Sequence, residues 1–189
     1  ERSLGEDHST VAVPLTNLGN VNNTLGHHAE AKAMFERALE IDRKAVGDEH
    51  PYIATGLYNL ARTEHDLGNE ARSEELYRQS LAIREKALGK EHSQVAVVLN
   101  ALAAISLRKG EYAEAKAMYD RALTIREKAL GPDHVRLGYS LAGLARLELQ
   151  RGRADAALPY AERCLKLRSG DKTQPEMVAE AQWLVAQAS

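Results

Sequence analysis

Along residues 11–19 the positions Val11, Ala12, Leu15, Leu18 and Gly19 fall at i, i+1, i+4, i+7 and i+8, the stripe of one buried helix face. The same slots hold Ile53, Ala54, Leu57, Leu60 and Ala61, then Val95, Ala96, Leu99, Leu102 and Ala103, then Leu137, Gly138, Leu141, Leu144 and Ala145. A second stripe follows each of the first three: Ala31, Phe35, Ala38, Leu39; Ser73, Tyr77, Ser80, Leu81; Ala115, Tyr119, Ala122, Leu123. Small residues alternate with large ones there, so neighbouring helices can approach and interlock.

The repeat distance is 42 residues. Gly5, Gly47, Gly89 and Gly131 keep it, as do Gly26, Gly68, Gly110 and Gly152, and His8, His50, His92 and His134. The second glycine series stands between two helical stripes, where a left-handed C-cap closes a short helix–helix turn. Four helical hairpins are therefore expected, over residues 4–45, 46–87, 88–129 and 130–170. Helices are predicted near 9–25, 29–46, 51–67, 71–88, 93–109, 113–130, 134–151, 155–168 and 175–188. A lone hairpin leaves its apolar face uncovered, so stacking should give one all-α domain over residues 1–189. The expected form is a right-handed superhelical solenoid of antiparallel helix pairs with a concave and a convex side. The last helix is expected to cap it, with Val178, Ala181, Leu184 and Val185 packed inward. Glu1, Arg2 and Ser3 align with Arg43, Lys44 and Ala45, inside the tail of a second helix, and the reading is a fragment of a longer array.

The linker and first helix read VGDEHPYIATGLYNLA over 46–61 and LGKEHSQVAVVLNALA over 88–103. With the closing glycine and the 42-residue period, these resemble the tetratricopeptide repeats of kinesin light chains and their bacterial relatives, a resemblance that covers residues 4–170. It implies an inner groove, lined by first helices, that holds peptides of other proteins. Similar bacterial arrays are appended to signalling modules. The family's asparagine pair survives only in part: its second member is Asn17 and Asn59 but Ala101 and Gly143 later, and its first only Asn100. The aromatic that the family carries late in the first helix is replaced by Asn22, Glu64, Ser106 and Glu148. A transport-motor identity is therefore not supported.

Composition narrows the chemistry further. Lys plus Arg (25) nearly balances Asp plus Glu (27), so the net charge of -2 gives no broad pull toward nucleic acid or anionic membrane. No stretch of 18 apolar residues occurs, and the start has no basic region followed by an apolar one. Cys164 is the single cysteine, which fits a reducing, cytoplasmic setting, and it stands in the small-residue slot of Ala38, Ser80 and Ala122. The in-register histidines lie about 20 Å apart at roughly 10 Å per helix layer, too far to share a metal. His27 and His28 are adjacent and face different ways. No nucleophile elbow, phosphate-cradling loop or metal-spaced motif is present, so no enzyme and no cofactor are expected.

What remains is the polar face of the first helices. Projection at 3.6 residues per turn places Val13, Thr16, Asn17, Asn20 and Asn23 there, then Thr55, Tyr58, Asn59, Arg62 and Asp66. The third hairpin adds Val97, Asn100, Ala101, Ala104 and Arg108; the fourth adds Tyr139, Ala142, Gly143, Arg146 and Gln150. Amides can fix a peptide backbone and arginine can grip a carboxylate bidentately. The expected peptide-binding residues are therefore Asn17, Asn20, Tyr58, Asn59, Arg62, Asn100, Arg108, Tyr139 and Arg146, with an extended, partly acidic peptide as partner. Ala101, Ala104, Ala142 and Gly143 point to a shallow pocket. The alternative is a structural linker module of a larger multidomain signalling protein, self-associating through its repeat ends.

Overall fold

The computed structural model describes residues 11–169 and 175–189. Expectations for residues 1–3, Gly5, His8 and the start of the first helix near residue 9 lie outside them. Backbone contacts divide the chain into two compact units, Glu1–Lys90 and Glu91–Ser189.

The first unit contains α1 (Ala12–Thr24), α2 (His28–Val46), α3 (Pro51–Asp66) and α4 (Glu70–Leu88). In the second are α5 (Ser93–Arg108), α6 (Tyr112–Leu130), α7 (Gly138–Gln150), α8 (Ala154–Arg168) and α9 (Pro175–Ala188). All predicted helices within the described residues are present, and no strand occurs among those residues. The one departure is before α7, where the turn Val135–Leu137 is 3-10 rather than α, a common form at helix N-termini. The fold class is an all-α repeat of antiparallel helix pairs of the solenoid type.

Four turns inside the hairpins share one hydrogen-bond pattern. In the second, the Gly68 N–H donates to the His65 carbonyl (2.9 Å) and the Asn69 N–H to the Glu64 carbonyl (2.8 Å). That pair of bonds satisfies carbonyls the helix end would otherwise leave open, and it needs the positive φ of +83° that Gly68 adopts. Equivalent bonds run from His27 to Asn22, Glu111 to Ser106 and Arg153 to Glu148. Residues 22, 64, 106 and 148 are the ones that replace the family's aromatic, and here their carbonyls close the turns. The Glu64 side chain is itself buried and bonded by Lys32 (2.8 Å) and Asn69 (2.7 Å). Burial raises its pKa, but those two bonds outweigh burial and hold it below the usual carboxylate value.

Within each unit a second helix packs against its own first helix and, where one follows in that unit, against the next: α2 on α1 and α3, α6 on α5 and α7, α8 on α7 and α9. The expected stripes are buried in α3, α5 and α7, and α1 differs at Leu18. It is 51% exposed, against 5% for Leu60 and 0% for Leu144. The reason is positional. In α3 and α7 the preceding second helix covers this side, and no helix among the described residues packs there on α1.

Large residues of the second helices sit over glycines. The Phe35 ring lies on Gly19, Leu39 on Gly56 and the Tyr119 ring on Gly143. The shallow pocket expected from Ala101, Ala104, Ala142 and Gly143 is therefore absent. Ala142 is 2% exposed, Gly143 is buried under Tyr119, and Ala101 and Ala104 are half-buried. Gly143 makes room for a side chain of the protein itself, Tyr119 of α6, not for a ligand.

At the end of the second unit, Ala181, Leu184 and Ala188 of α9 are buried, Val185 packs beside them, and Val178 is half-buried. They close a core of Leu137, Leu141, Ala142, Ala161 and Cys164. Arg168, 1% exposed, donates to the Met177 carbonyl (3.2 Å) and to Glu180 Oε2 (2.6 Å), and Arg146 pairs with Glu180 Oε1.

Two outcomes follow from this packing. Replacing Gly143 with Leu should lower stability by about 1–3 kcal/mol, because the new side chain meets a ring instead of open groove; equilibrium denaturation measures it, and an unchanged midpoint would restore the pocket. Truncation at Gly170 should reduce the thermal midpoint and promote association. Glu180→Ala alone should destabilise toward the lower end of the roughly 3–5 kcal/mol seen when one partner of a buried pair is removed, since Arg168 then loses its carboxylate.

Candidate functional site

In the first unit, the polar face of α1 and α3 brings part of the expected set together. The Arg62 Nη2 reaches Asn20 Oδ1 at 3.5 Å, and the Arg62 Nε–H, buried, has no hydrogen-bond partner among the described residues. Tyr58 stands on the same helix, its ring 5.3 Å from Tyr77 and 5.2 Å from the Arg84 guanidinium. Asn59 is buried, and Asn17 is exposed on α1. Asn23, expected on this face, is instead 8% exposed. Its Nδ2 donates to Asp66 (3.0 Å) and its Oδ1 lies 2.8 Å from His28 Nδ1, so Asn23 and Asp66 tie α1 to α2 and α3.

The second unit assembles Asn100 and Tyr139 around Ser140. Arg126 Nη1 donates to the Ser140 hydroxyl (3.1 Å), which donates to Asn100 Oδ1 (3.0 Å). The Tyr139 ring, half exposed, lies 5.6 Å from the Arg126 guanidinium and 5.5 Å from that of Arg168, within the range of cation–π attraction. Arg146 faces solvent but is engaged by Glu180 of α9. Arg108 ends α5, exposed. Burial pushes the Tyr119 phenol up to about 12, with the fields of Arg146 and Arg108 opposing it.

Sequence reading of the first helices alone passed over Arg84, Arg126 and Arg168. They belong to the second helices, are 5%, 6% and 1% exposed, and keep the same 42-residue interval, with Asp42 in the corresponding place of the first hairpin. The signal that identifies them is a charged residue recurring at a buried register. Burial lowers the pKa of Arg84, with Tyr58 acting in the opposite direction, and raises that of Asp42, with His50 opposing.

The in-register histidines take structural places. His50, His92 and His134 each cap the helix or turn that follows, with Nδ1 accepting the N–H of Tyr52 (3.2 Å), Gln94 (3.2 Å) and Arg136 (3.1 Å). Burial pushes the Cys164 thiol up to about 11, and its Sγ donates to the Gly138 carbonyl at 3.4 Å. Glu74 and Glu75 are paired with Arg78 and Arg72 on the surface. Among the described residues no group of three or more His, Cys, Asp or Glu side chains is placed to hold a metal ion, and no helix is long and apolar enough to cross a membrane.

Comparison with solved structures finds the same fold. BtubC (BKLC) from P. vanneervenii superposes with a TM-score of 0.83 at 19% identity, over 95% of this chain and 72% of that one. A kinesin-light-chain-type protein of Podosopora anserina, with nearly identical TPR-like repeats, gives 0.78 at 24% identity over 96% and 86%, and a single-residue variant of that protein gives the same values. No curated protein matches the chain. The tetratricopeptide repeat profile matches residues 1–44, 10–86, 52–128 and 94–169 in overlapping segments. Tetratricopeptide repeats generally mediate protein–protein interaction, and with matches over nearly its whole length this chain belongs to the tetratricopeptide repeat family.

Proposed function

We propose that this chain is a non-catalytic interaction domain that holds an extended, partly acidic segment of another protein along the polar faces of its first helices. Arg62 carries the reading. Among the described residues its guanidinium makes one long contact, to Asn20, with its Nε–H buried and unpartnered, so its Nη groups are short of acceptors, and unmade bonds to a charged donor are unfavourable. A carboxylate supplies two acceptors in the geometry that guanidinium prefers. Asn17 and Asn20 stand beside it to bond a peptide backbone. In the second unit the corresponding residues are Asn100, Arg108, Tyr139 and Arg146. Glu180 on Arg146 and Arg168 illustrates the kind of side chain such a face takes.

A peptide-library screen followed by titration tests this. Since a hydrogen bond to a charged group contributes about 1.5–3 kcal/mol, Arg62→Ala should weaken selected acidic ligands by roughly tenfold or more. Added salt should weaken them further. Selected ligands that bind the Arg62 variant as well as the parent, or that protect the opposite helix faces from hydrogen exchange, would overturn the proposal. Arg62 is the cleaner test than Arg146, whose removal also disturbs α9.

A second reading, self-association through the repeat ends, is favoured by the apolar stripe of Leu18, Val21 and Leu25 on α1, between 51% and 65% exposed. It expects the mass in solution to rise with protein concentration in the absence of any partner, and Val21→Glu to return it to that of the monomer. A mass that stays monomeric over the concentration range eliminates it.

A further inference from the structure

We propose that His50, His92 and His134 are pH-sensitive fasteners that hold the starts of the first helices at neutral pH and release them on acidification. The three share one geometry. Each has extended backbone angles, φ between -79° and -73° with ψ between 132° and 144°. Each uses its carbonyl to accept the first helical N–H, from Ile53, Val95 and Leu137 at 2.9–3.0 Å. Each then turns its imidazole back so that Nδ1 accepts the N–H two residues on. This is the place usually taken by Ser, Thr, Asp or Asn, whose oxygens accept at any neutral pH.

Histidine differs because the acceptor is a titrating nitrogen. Neutral imidazole can accept at Nδ1 only as the tautomer protonated at Nε2. Imidazolium carries N–H groups on both nitrogens, so its Nδ1–H meets the backbone N–H donor to donor. Its charge also lies at the positive end of the helix dipole. The sign follows: the caps stabilise the fold where the rings are neutral, and this contribution is lost as pH falls and they charge.

The charged and aromatic surroundings of the three rings differ. His50 faces the Tyr52 ring edge-on at 4.6 Å and the field of Asp42 from α2. The linker acids beside it, Asp48 and Glu49, are held by Arg43 and by Lys86 of α4. Glu91 before His92 is held by Lys128 of α6 and lies in the field of Arg121. Asp133 precedes His134, where Arg163 of α8 donates to the Pro132 carbonyl and pairs with Glu127. His28 is not such a cap, its Nδ1 lying near Asn23 Oδ1 and Asp66, and it is left intact in the test.

The full chain is compared with the triple variant His50→Asn, His92→Asn, His134→Asn, because asparagine caps without titrating. Between pH 7.5 and 5.5 the thermal midpoint of the parent should fall by about 5–10 °C, and that of the variant by less than a third as much. Equal falls in the two overturn the proposal. Nitrogen-15 imidazole spectra at pH 7.5 give a second measurement that needs no variant. They should show Nδ1 bare and Nε2 protonated in all three rings, and at pH 5.5 the amides of Tyr52, Gln94 and Arg136 should exchange at least tenfold faster relative to the helix interiors. Rings protonated at Nδ1 at pH 7.5, or amide exchange that does not change between the two pH values, also sink it.

Discussion

A second helix with a first helix on either side of it, such as α2 or α6, is buried on two sides at once, and the rest of the structure depends on that. Its small residues let neighbouring helices approach, and its large ones reach glycines on either side. Phe35 covers Gly19 within its own hairpin, while Leu39 of the same helix covers Gly56 in the following one. Close packing of this kind leaves no room for a side chain where a ring already lies, so the alternation of small and large is a steric requirement rather than a compositional habit. Where no helix among the described residues packs, as on the Leu18 side of α1, residues of the same apolar type are exposed.

The polar interior obeys the same geometry. Helix pairs that close with a tight turn leave carbonyls in need of donors, and the residues after Gly26, Gly68, Gly110 and Gly152 supply them. The arginines at 84, 126 and 168 emerge at the seam between helices, where a long stem can be buried while the guanidinium stacks on tyrosine or meets a polar group of the neighbouring helix. In the second unit that meeting is made once by Ser140 and once by Glu180. The α8–α9 contact thus carries a buried ion pair where α6–α7 carries a charge-assisted hydrogen bond from Arg126 to a neutral hydroxyl.

The proposed binding face lies on the side of the first helices away from the apolar stripe, where each unit carries amides, a tyrosine and arginine, although packing covers Asn23, Asn59, Ala142 and Gly143 there. The proposal of an acidic partner rests on local guanidiniums, which bond carboxylates in a fixed fork, since the chain as a whole carries a net charge of -2 and exerts no general pull on anions.

Helix positions, hairpin turns, the buried stripes of α3, α5 and α7 and the cap were all legible in the residues, because each depends on local periodicity and on a glycine in register. The sharing of one face by Asn20 and Arg62 was legible for the same reason. Burial of Ala142 and Gly143 was not, since a helical projection gives the direction of a position but not the reach of Tyr119 from another helix. Nor were the exposure of Leu18, the engagement of Arg146 by Glu180, or the role of the histidines as caps. The amino-acid order alone determined which surfaces are apolar and how often they recur. Tertiary packing decided which of them are covered and which charges are already paired, because both depend on side chains brought together from helices distant in the chain.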